Sequence, residues 1–195
     1  MCIVVGLGNP GSEYVGTRHN VGQMVLTHVM ESYHFSDMVR ISKYAGHYAE
    51  GTICSKEVDI LFPDTFMNKS GVSVGKVLAT RTQHKPQLVV VYDDVAIPVG
   101  ELKISFGRGS GGHNGINSIV DAIGTKDFAR IRVGIAPKTL FGAVARPKGA
   151  RMSTFVLGKF SRREQKAIED VAQKVSRALR LIVTDGVEKA MNELN

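Results

Sequence analysis

The sequence predicts an α/β protein: a single domain, residues 1–195, in which a twisted mixed β-sheet is flanked by helices. Short β-branched runs alternate along the chain with segments whose apolar residues recur at helical spacing. The strongest run, LVVVY at residues 88–92, is continuous and branched, which is typical of a central strand covered on both faces. A length of 195 residues is enough for one well-cored domain.

Strands are predicted where a short apolar, β-branched run is bounded by turn-forming residues. The first run is closed by Gly8, and a polar turn between the second and third runs indicates a hairpin that Pro63 ends. The predicted strands are residues 2–7, 47–50, 57–62, 88–92, 101–106 and 130–136.

Helices are predicted where apolar residues recur at spacings of three and four. The predicted helices are residues 17–33, residues 70–82, a segment through 116–123, a long helix whose apolar stripe runs from residue 168 to 182, and a short last helix. Ser161 and Glu164 form the S-x-x-E pattern of a capping box at the start of the long helix. Gly186 separates the long helix from the last one.

The charge balance favours a polyanionic partner, because the formal net charge is +7. Nucleic acid is the commonest such partner, although a merely basic surface would give the same excess. Cys2 and Cys54 are isolated rather than in a C-x-x-C pair, which suits a reducing compartment. No apolar run is long enough to span a bilayer, and the chain enters a strand at once. We therefore expect a cytoplasmic protein with neither a membrane segment nor a signal peptide.

Residues 6–11, GLGNPG, fit the G-x-G-x-x-G pattern of dinucleotide-binding proteins. That motif needs its third glycine at the start of a helix, so that the pyrophosphate meets the helix N-terminus. Here the residues after Gly11 do not resemble a first helical turn. Glu31, at the distance expected for the ribose-binding acid, falls within a predicted helix. The sequence therefore argues against a nucleotide cofactor and against the oxidoreductase activity that it would serve.

Polar side chains gather near the ends of predicted strands, at the edge of an open α/β sheet where binding sites form. Each has an ordinary structural interpretation as a turn, cap or loop residue, but together they indicate one cleft. The candidates are Asn9, His19, Asn68, Asp93, His113 and Asn114.

This set of side chains suits hydrolysis by an activated water. His19 could act as a general base, Asp93 could fix its tautomer, and asparagine amides could donate to an oxyanion. No serine or cysteine lies in a nucleophile context such as G-x-S-x-G. A zinc site formed by His19, Asp93 and His113 is the alternative, although no ligand-spaced pair such as H-x-x-x-H supports it.

Taken in order, these motifs resemble the bacterial-type peptidyl-tRNA hydrolase family from residue 3 to about residue 190. Several blocks are long and specific, which argues against chance similarity. The matching blocks are VGLGNPG at 5–11, Tyr14, TRHNVG at 17–22, FMNKSG at 66–71, DD at 93–94, GGHNG at 111–115, RIRVGI at 130–135 and FVLG at 155–158.

The resemblance implies hydrolysis of the ester that joins a peptide to the 3′ ribose of tRNA, which frees tRNA after ribosomes drop peptidyl-tRNA. The expected protein is a monomer that uses no cofactor and no metal, with peptidyl-tRNA as its partner and no DNA or membrane. The resemblance assigns His19 as general base and Asp93 as its orienting acid. The substrate-binding residues that it implies are Asn9, Tyr14, Met67, Asn68, His113 and Asn114.

The family also binds the tRNA 5′ phosphate with an arginine and a lysine. The arginine corresponds to Arg132, whereas the lysine position falls on Ser105, which departs from the family pattern. Lys103, two residues earlier on the same face of a strand, or Arg108 could supply the missing charge, and otherwise both are merely solvated. The expected tRNA-binding residues are therefore Lys103, Arg108 and Arg132.

A second departure is a basic segment with glycine and proline at residues 138–151. Two interpretations remain: a mobile lid that contacts the tRNA backbone, or a disordered surface loop. One alternative function also remains, which is RNA binding without catalysis, because chloroplast relatives of this family serve in intron splicing. The full set of catalytic residue types favours the enzyme.

Overall fold

A computed structural model describes residues 1–81, 86–137, 149 and 151–195 of the protein. Within these residues the strands form one seven-stranded mixed sheet. The strands are β1 (Cys2–Gly6), β2 (Val39–Ile41), β3 (Gly46–Ile53), β4 (Lys56–Pro63), β5 (Gln87–Pro98), β6 (Leu102–Phe106) and β7 (Ala129–Ala136). Their order across the sheet is β2-β3-β4-β1-β5-β7-β6. The four central strands, β4, β1, β5 and β7, are parallel, and both edges are antiparallel.

Helices cover both faces of this sheet. They are α1 (Val21–Ser32), α2 (Ser70–Ala79), α3 (Asn114–Ile123), α4 (Arg151–Val156), α5 (Arg162–Asp185) and α6 (Val187–Leu194). Alternate residues of β1 point to opposite sides, so that Cys2 and Val4 pack against α1 and α5 while Ile3 and Val5 pack against α2 and α3. The predicted α/β class, with helices flanking a mixed sheet, is confirmed.

Most predicted elements are confirmed, with shifted ends. The predicted helix at 17–33 begins as a 3-10 helix, Arg18–Asn20, and becomes α-helical only at Val21. The central strand does not end at residue 92 but continues to Pro98, because β7 pairs with it beyond the end of β1. The capping box is present, since Ser161 N–H donates to Glu164 Oε2 at 2.7 Å and Glu164 N–H donates to Ser161 Oγ at 3.4 Å.

Within the described residues, none of the helices combines the length and the apolar character needed to cross a bilayer. The segment at 138–151, predicted as a lid or a disordered loop, lies outside the described residues except for Gly149 and Arg151.

Candidate active site

A cleft of about 900 Å³ opens at the carboxyl edge of the parallel strands. Its walls come from the loop after β1, the two 3-10 helices Arg18–Asn20 and Met67–Lys69, the middle of β5, the start of α3, and α4. The predicted site residues Asn9, His19, Met67, Asn68, Asp93, His113, Asn114 and Arg132 all line it. The sheet edge that the sequence indicated is therefore where the structure brings these side chains together.

His19 and Asp93 form the closest contact at the floor of the cleft, where His19 Nδ1 lies 2.8 Å from Asp93 Oδ1. Gly22 makes this contact possible, because a Cβ atom there would lie only 2.3 Å from the Val91 carbonyl oxygen. The first turn of α1 thus rests directly on the backbone of β5. This brings His19, two residues before the helix, beside the carboxylate of Asp93.

Burial and charge act in opposite directions on this pair. Burial is the largest influence on His19 and lowers its pKa, but the charge and hydrogen bond of Asp93 together outweigh it, so the pKa lies above its ordinary value. For Asp93, burial raises the pKa, and the two neighbouring histidines outweigh burial and hold the pKa below its ordinary value. Asp93 is therefore ionised, and His19 Nδ1–H donates a hydrogen bond to its carboxylate oxygen.

His113 makes a second contact with the same oxygen, since its Nε2 lies 2.9 Å from Asp93 Oδ1. The other ring nitrogen, Nδ1, accepts the backbone N–H groups of Gly115 at 3.2 Å and Ile116 at 3.4 Å, which makes His113 the N-cap of α3. Because Nδ1 accepts hydrogen bonds from these N–H groups, it carries no proton, and the ring proton belongs on Nε2.

The zinc alternative meets a geometric objection. Ligand atoms of His19, Asp93 and His113 lie within 4.8 Å of one another, which is close enough to consider a metal ion. However, both ring nitrogens that face Asp93 are at hydrogen-bonding distance from it, and His113 Nε2 would have to lose its proton to bind a metal. That would require Nδ1 to take up the proton and α3 to lose its cap.

Asn20, which the sequence did not single out as a site residue, fixes the position of Asn9. Its side-chain Nδ2 donates to the Asn9 carbonyl, and its Oδ1 accepts the Asn9 N–H, both at 2.9 Å. Asn9 in turn accepts the Met67 N–H with Oδ1 at 2.7 Å. Because Oδ1 is used in this hydrogen bond, the orientation of the Asn9 amide is fixed, and its Nδ2 remains available as a donor to a substrate.

The other predicted substrate-binding residues lie at different depths. Asn68 and Asn114 are exposed on the cleft wall, whereas Met67 is buried. Tyr14 differs from the prediction, because it is not among the described residues that line the cleft. Its ring instead packs edge-on against Phe66, with 6.2 Å between ring centroids, and it is Phe66 that lines the cleft.

The predicted tRNA-binding residues lie on β6, on β7 and in the segment that follows β6. Arg132 lines the cleft and is paired with Asp94, with 2.7 Å between Nη2 and Oδ2. Lys103 is exposed and lies directly opposite Arg132 in the β6–β7 pairing, whereas Ser105 is buried opposite Arg130. Arg108 is exposed in the glycine-rich segment before α3 and does not line the cleft.

Arg18, adjacent to the candidate base, connects the two halves of the chain. Its guanidinium donates to Glu164 at 3.1 Å and to the Lys159 carbonyl at 2.9 Å, and it lies 4.6 Å from the centre of the Phe155 ring. The same contacts hold α4 against the cleft, where Met152 and Val156 form an apolar wall. Sequence motifs contained Arg18 but gave no signal of this bridging role.

An imidazole held by a buried carboxylate among amide side chains defines a general-base site of the kind that hydrolyses esters. The peptidyl-tRNA hydrolase family model matches residues 3–195. Peptidyl-tRNA hydrolase of Syntrophotalea carbinolica is 38% identical over 196 residues, covering 100% of this chain and 97% of that protein. The enzyme of Prochlorococcus marinus is 39% identical over 193 residues, covering 99% and 92%.

Solved structures give the same result. The crystal structure of peptidyl-tRNA hydrolase from Acinetobacter baumannii is similar with a TM-score of 0.87 at 32% identity, covering 100% of this chain and 94% of that one. A peptidyl-tRNA hydrolase in complex with n-propanol gives a TM-score of 0.88 at 33% identity, with the same coverage. The chain belongs to the peptidyl-tRNA hydrolase family.

Proposed function

We propose that this protein hydrolyses the ester bond of peptidyl-tRNA and releases free peptide and intact tRNA. The observation that carries the proposal is the 2.8 Å contact between His19 Nδ1 and Asp93 Oδ1 in a cleft lined by asparagine amides. A protein that only binds RNA has no need of a base held in this way. The non-catalytic alternative is therefore not favoured.

In the proposed reaction, His19 Nε2 accepts a proton from water, and the resulting hydroxide attacks the ester carbonyl carbon. Asp93 accepts a hydrogen bond from His19 Nδ1–H throughout, which orients the ring and stabilises the imidazolium. Amide N–H groups of Asn9, Asn68 or Asn114 donate to the oxyanion of the tetrahedral intermediate. When the intermediate collapses, the C–O bond to the ribose breaks, and the 3′ oxygen takes the proton that His19 received.

The test is a direct assay with EDTA present. Incubating the protein with a peptidyl-tRNA should release free peptide and leave the tRNA intact, and His19→Ala should abolish release while largely sparing tRNA binding. Turnover that persists in the His19→Ala variant would remove His19 as the base. Turnover that disappears with EDTA and returns with zinc would replace this mechanism by a metal-dependent one.

We further propose that Arg132 and Lys103 together bind the 5′ phosphate of tRNA. Their Cα atoms are directly opposed across the antiparallel β6–β7 pair, and neither is buried. Lys103 thus supplies the second positive charge of the phosphate site. Ser105, which stands at the family's lysine position, is uncharged and buried in the same strand. Arg108, exposed in the following glycine-rich segment, contacts the backbone farther along the acceptor stem.

Substrates with and without the 5′ phosphate distinguish this clamp from general charge attraction. Arg132→Ala and Lys103→Ala should each raise KM for phosphorylated tRNA more than they lower kcat, at a cost of about 1–3 kcal/mol for a charge-assisted contact. On a substrate that lacks the 5′ phosphate, both variants should match the wild-type KM. Arg108→Ala serves as the comparison, because its effect should be the same on both substrates.

A further inference from the structure

Two imidazole rings share a single oxygen atom of Asp93. His19 Nδ1 lies 2.8 Å from Oδ1 and His113 Nε2 lies 2.9 Å from it. The ring centroids are 5.2 Å apart and the ring planes are tilted by 55°. The rings therefore do not stack on each other, and each points one nitrogen at the same carboxylate oxygen. The side chain of Asp93 is only 2% exposed. Solvent therefore contributes little to balancing its charge, and the two rings are its main partners.

The two rings are not equivalent, because backbone N–H groups fix which nitrogen carries the proton in His113 but not in His19. The N-cap hydrogen bonds from Gly115 and Ile116 hold His113 Nδ1 as an acceptor. With Nδ1 in that role, Nε2 carries the ring proton and always donates to Asp93. His19 has no such cap contact, and its remaining nitrogen, Nε2, is the one available for proton transfer.

We propose that His113 is a positioning residue that acts through Asp93. His113 donates a hydrogen bond to Asp93 Oδ1, the oxygen that also accepts from His19. The second donor withdraws negative charge from this oxygen. This limits how strongly the carboxylate stabilises protonated His19. The benefit is that a larger share of the imidazole stays in its neutral, basic form at a given pH than an undivided carboxylate would allow. The catalytic meaning of this inference rests on the proposed function, whereas the coupling itself does not.

Other charged and polar groups near the pair have contacts of their own. Asp94, the next residue on β5, is paired with Arg132 of β7 at 2.7 Å. Tyr92 meets His113 with its ring edge at 4.8 Å between centroids, and burial raises its pKa, so it is uncharged near neutrality. Arg130 of β7 is buried and donates to the Gly109 carbonyl at 2.9 Å. His19 and His113 are thus the charged or polar partners that bear directly on Asp93.

Two substitutions of His113 separate its two hydrogen-bonding roles. In His113→Asn, the side-chain oxygen takes the place of Nδ1 and keeps the cap, but the donor to Asp93 is lost. In His113→Gln, the amide nitrogen takes the place of Nε2 and keeps the donor, but the cap is lost. The titration of the His19 ring is followed by NMR in both variants and in the wild type, and kcat/KM for peptidyl-tRNA is followed over the same pH range.

In His113→Asn, the His19 titration should move to higher pH by about half a pH unit or more, and the acidic limb of kcat/KM should move with it. The ratio of activity at pH 6 to activity at pH 9 should then fall about threefold. His113→Gln should lower Tm but leave the His19 titration in place. In an Asp93→Asn background, His113→Asn should cause no further shift of the titration.

Several results would overturn the inference. One is an unchanged or downward-shifted His19 titration in His113→Asn. Another is an equal shift in His113→Gln, which would point to disturbance of α3 rather than loss of the donor. A third is a further shift in the Asp93→Asn background, which would mean that His113 does not act through Asp93. Absence of ester hydrolysis by the wild type would defeat the proposed function but leave the NMR comparison intact.

Discussion

Asp93 is the residue around which the candidate site is organised, because it is a carboxylate with almost no contact with water. A buried charge is costly unless it is paired, and here two imidazole rings provide the pairing. The same pairing fixes the tautomer of His19 and raises its pKa. The stability of the buried charge and the tautomer and pKa of His19 therefore depend on the same oxygen atom, Asp93 Oδ1.

Replacing Asp93 by Asn should change both the height and the position of the pH profile. The neutral imidazole is the working form, so kcat/KM is high above the pKa of His19 and falls as pH falls through it. Asp93→Asn removes the charge that raises this pKa and leaves burial, which lowers it. The acidic limb should move to lower pH, and the plateau should fall about 10²–10⁴-fold because the ring loses its orienting acceptor.

The measurement is kcat/KM between pH 5 and 9 with saturating and subsaturating peptidyl-tRNA. Asp121→Asn, an exposed carboxylate on α3, is the matched control and should leave the profile unchanged. An acidic limb that moves upward in Asp93→Asn would contradict the assignment of His19 as the titrating base.

Asn20 should prove as important as the residues that face the substrate. Its two hydrogen bonds hold the backbone of Asn9, and Asn20→Ala leaves both of those buried backbone groups without a partner. We expect a loss of about 1–3 kcal/mol in unfolding free energy and a lower kcat, measured by denaturant titration and by steady-state kinetics. Asn117→Ala, at an exposed position of α3, should change neither quantity.

At the scale of elements, the cleft depends on how closely α2 and α3 cross. Gly71 sits at the crossing, where its N–H donates to Ser118 Oγ at 3.0 Å and a Cβ atom would lie 1.9 Å from the Ser118 carbonyl oxygen. Asn68 lies just before α2 and Asn114 is the first residue of α3. The close crossing therefore sets the distance between two of the amides that line the cleft.

Gly71→Ala and Gly75→Ala form a matched pair on the same helix. At Gly75 the nearest atom to a new Cβ is 4.0 Å away, so alanine there should stabilise the protein by up to about 1 kcal/mol through helix propensity. At Gly71 the backbone clash should destabilise the protein by at least about 1–3 kcal/mol and reduce kcat. Thermal unfolding of both variants is the measurement, and equal Tm values would contradict this account of the crossing.

Sequence patterns predicted elements well where the signal is local. The run at 88–92 and the stripe from 168 to 182 carry their hydrophobic period in consecutive residues, and β5 and α5 are found there. β2 was not predicted, because Val39–Ile41 is a three-residue edge strand that is largely exposed and shows no apolar run. The role of Asn20 was not predicted either, since pairing with Asn9 across eleven positions depends on how two loops meet.

At the scale of the whole molecule, the net charge of +7 should make activity depend on ionic strength. Each phosphate contact that a side chain makes adds about one unit to the slope of log binding constant against log salt. We expect kcat/KM to fall steadily as salt rises. The slope should be smaller by about one in Arg132→Ala, measured at fixed pH over 50–300 mM KCl. A flat profile for the wild type would contradict electrostatic binding of tRNA.

The bridge made by Arg18 has a consequence for how the protein is made. The segment that carries His19 is held by residues 155–164, which leave the ribosome long after it. Because residues 155–164 are made late, a chain that ends before them lacks the groups that hold Arg18, the residue next to His19, in place. The N-terminal wall of the cleft is therefore completed only when the C-terminal part of the chain has folded against it.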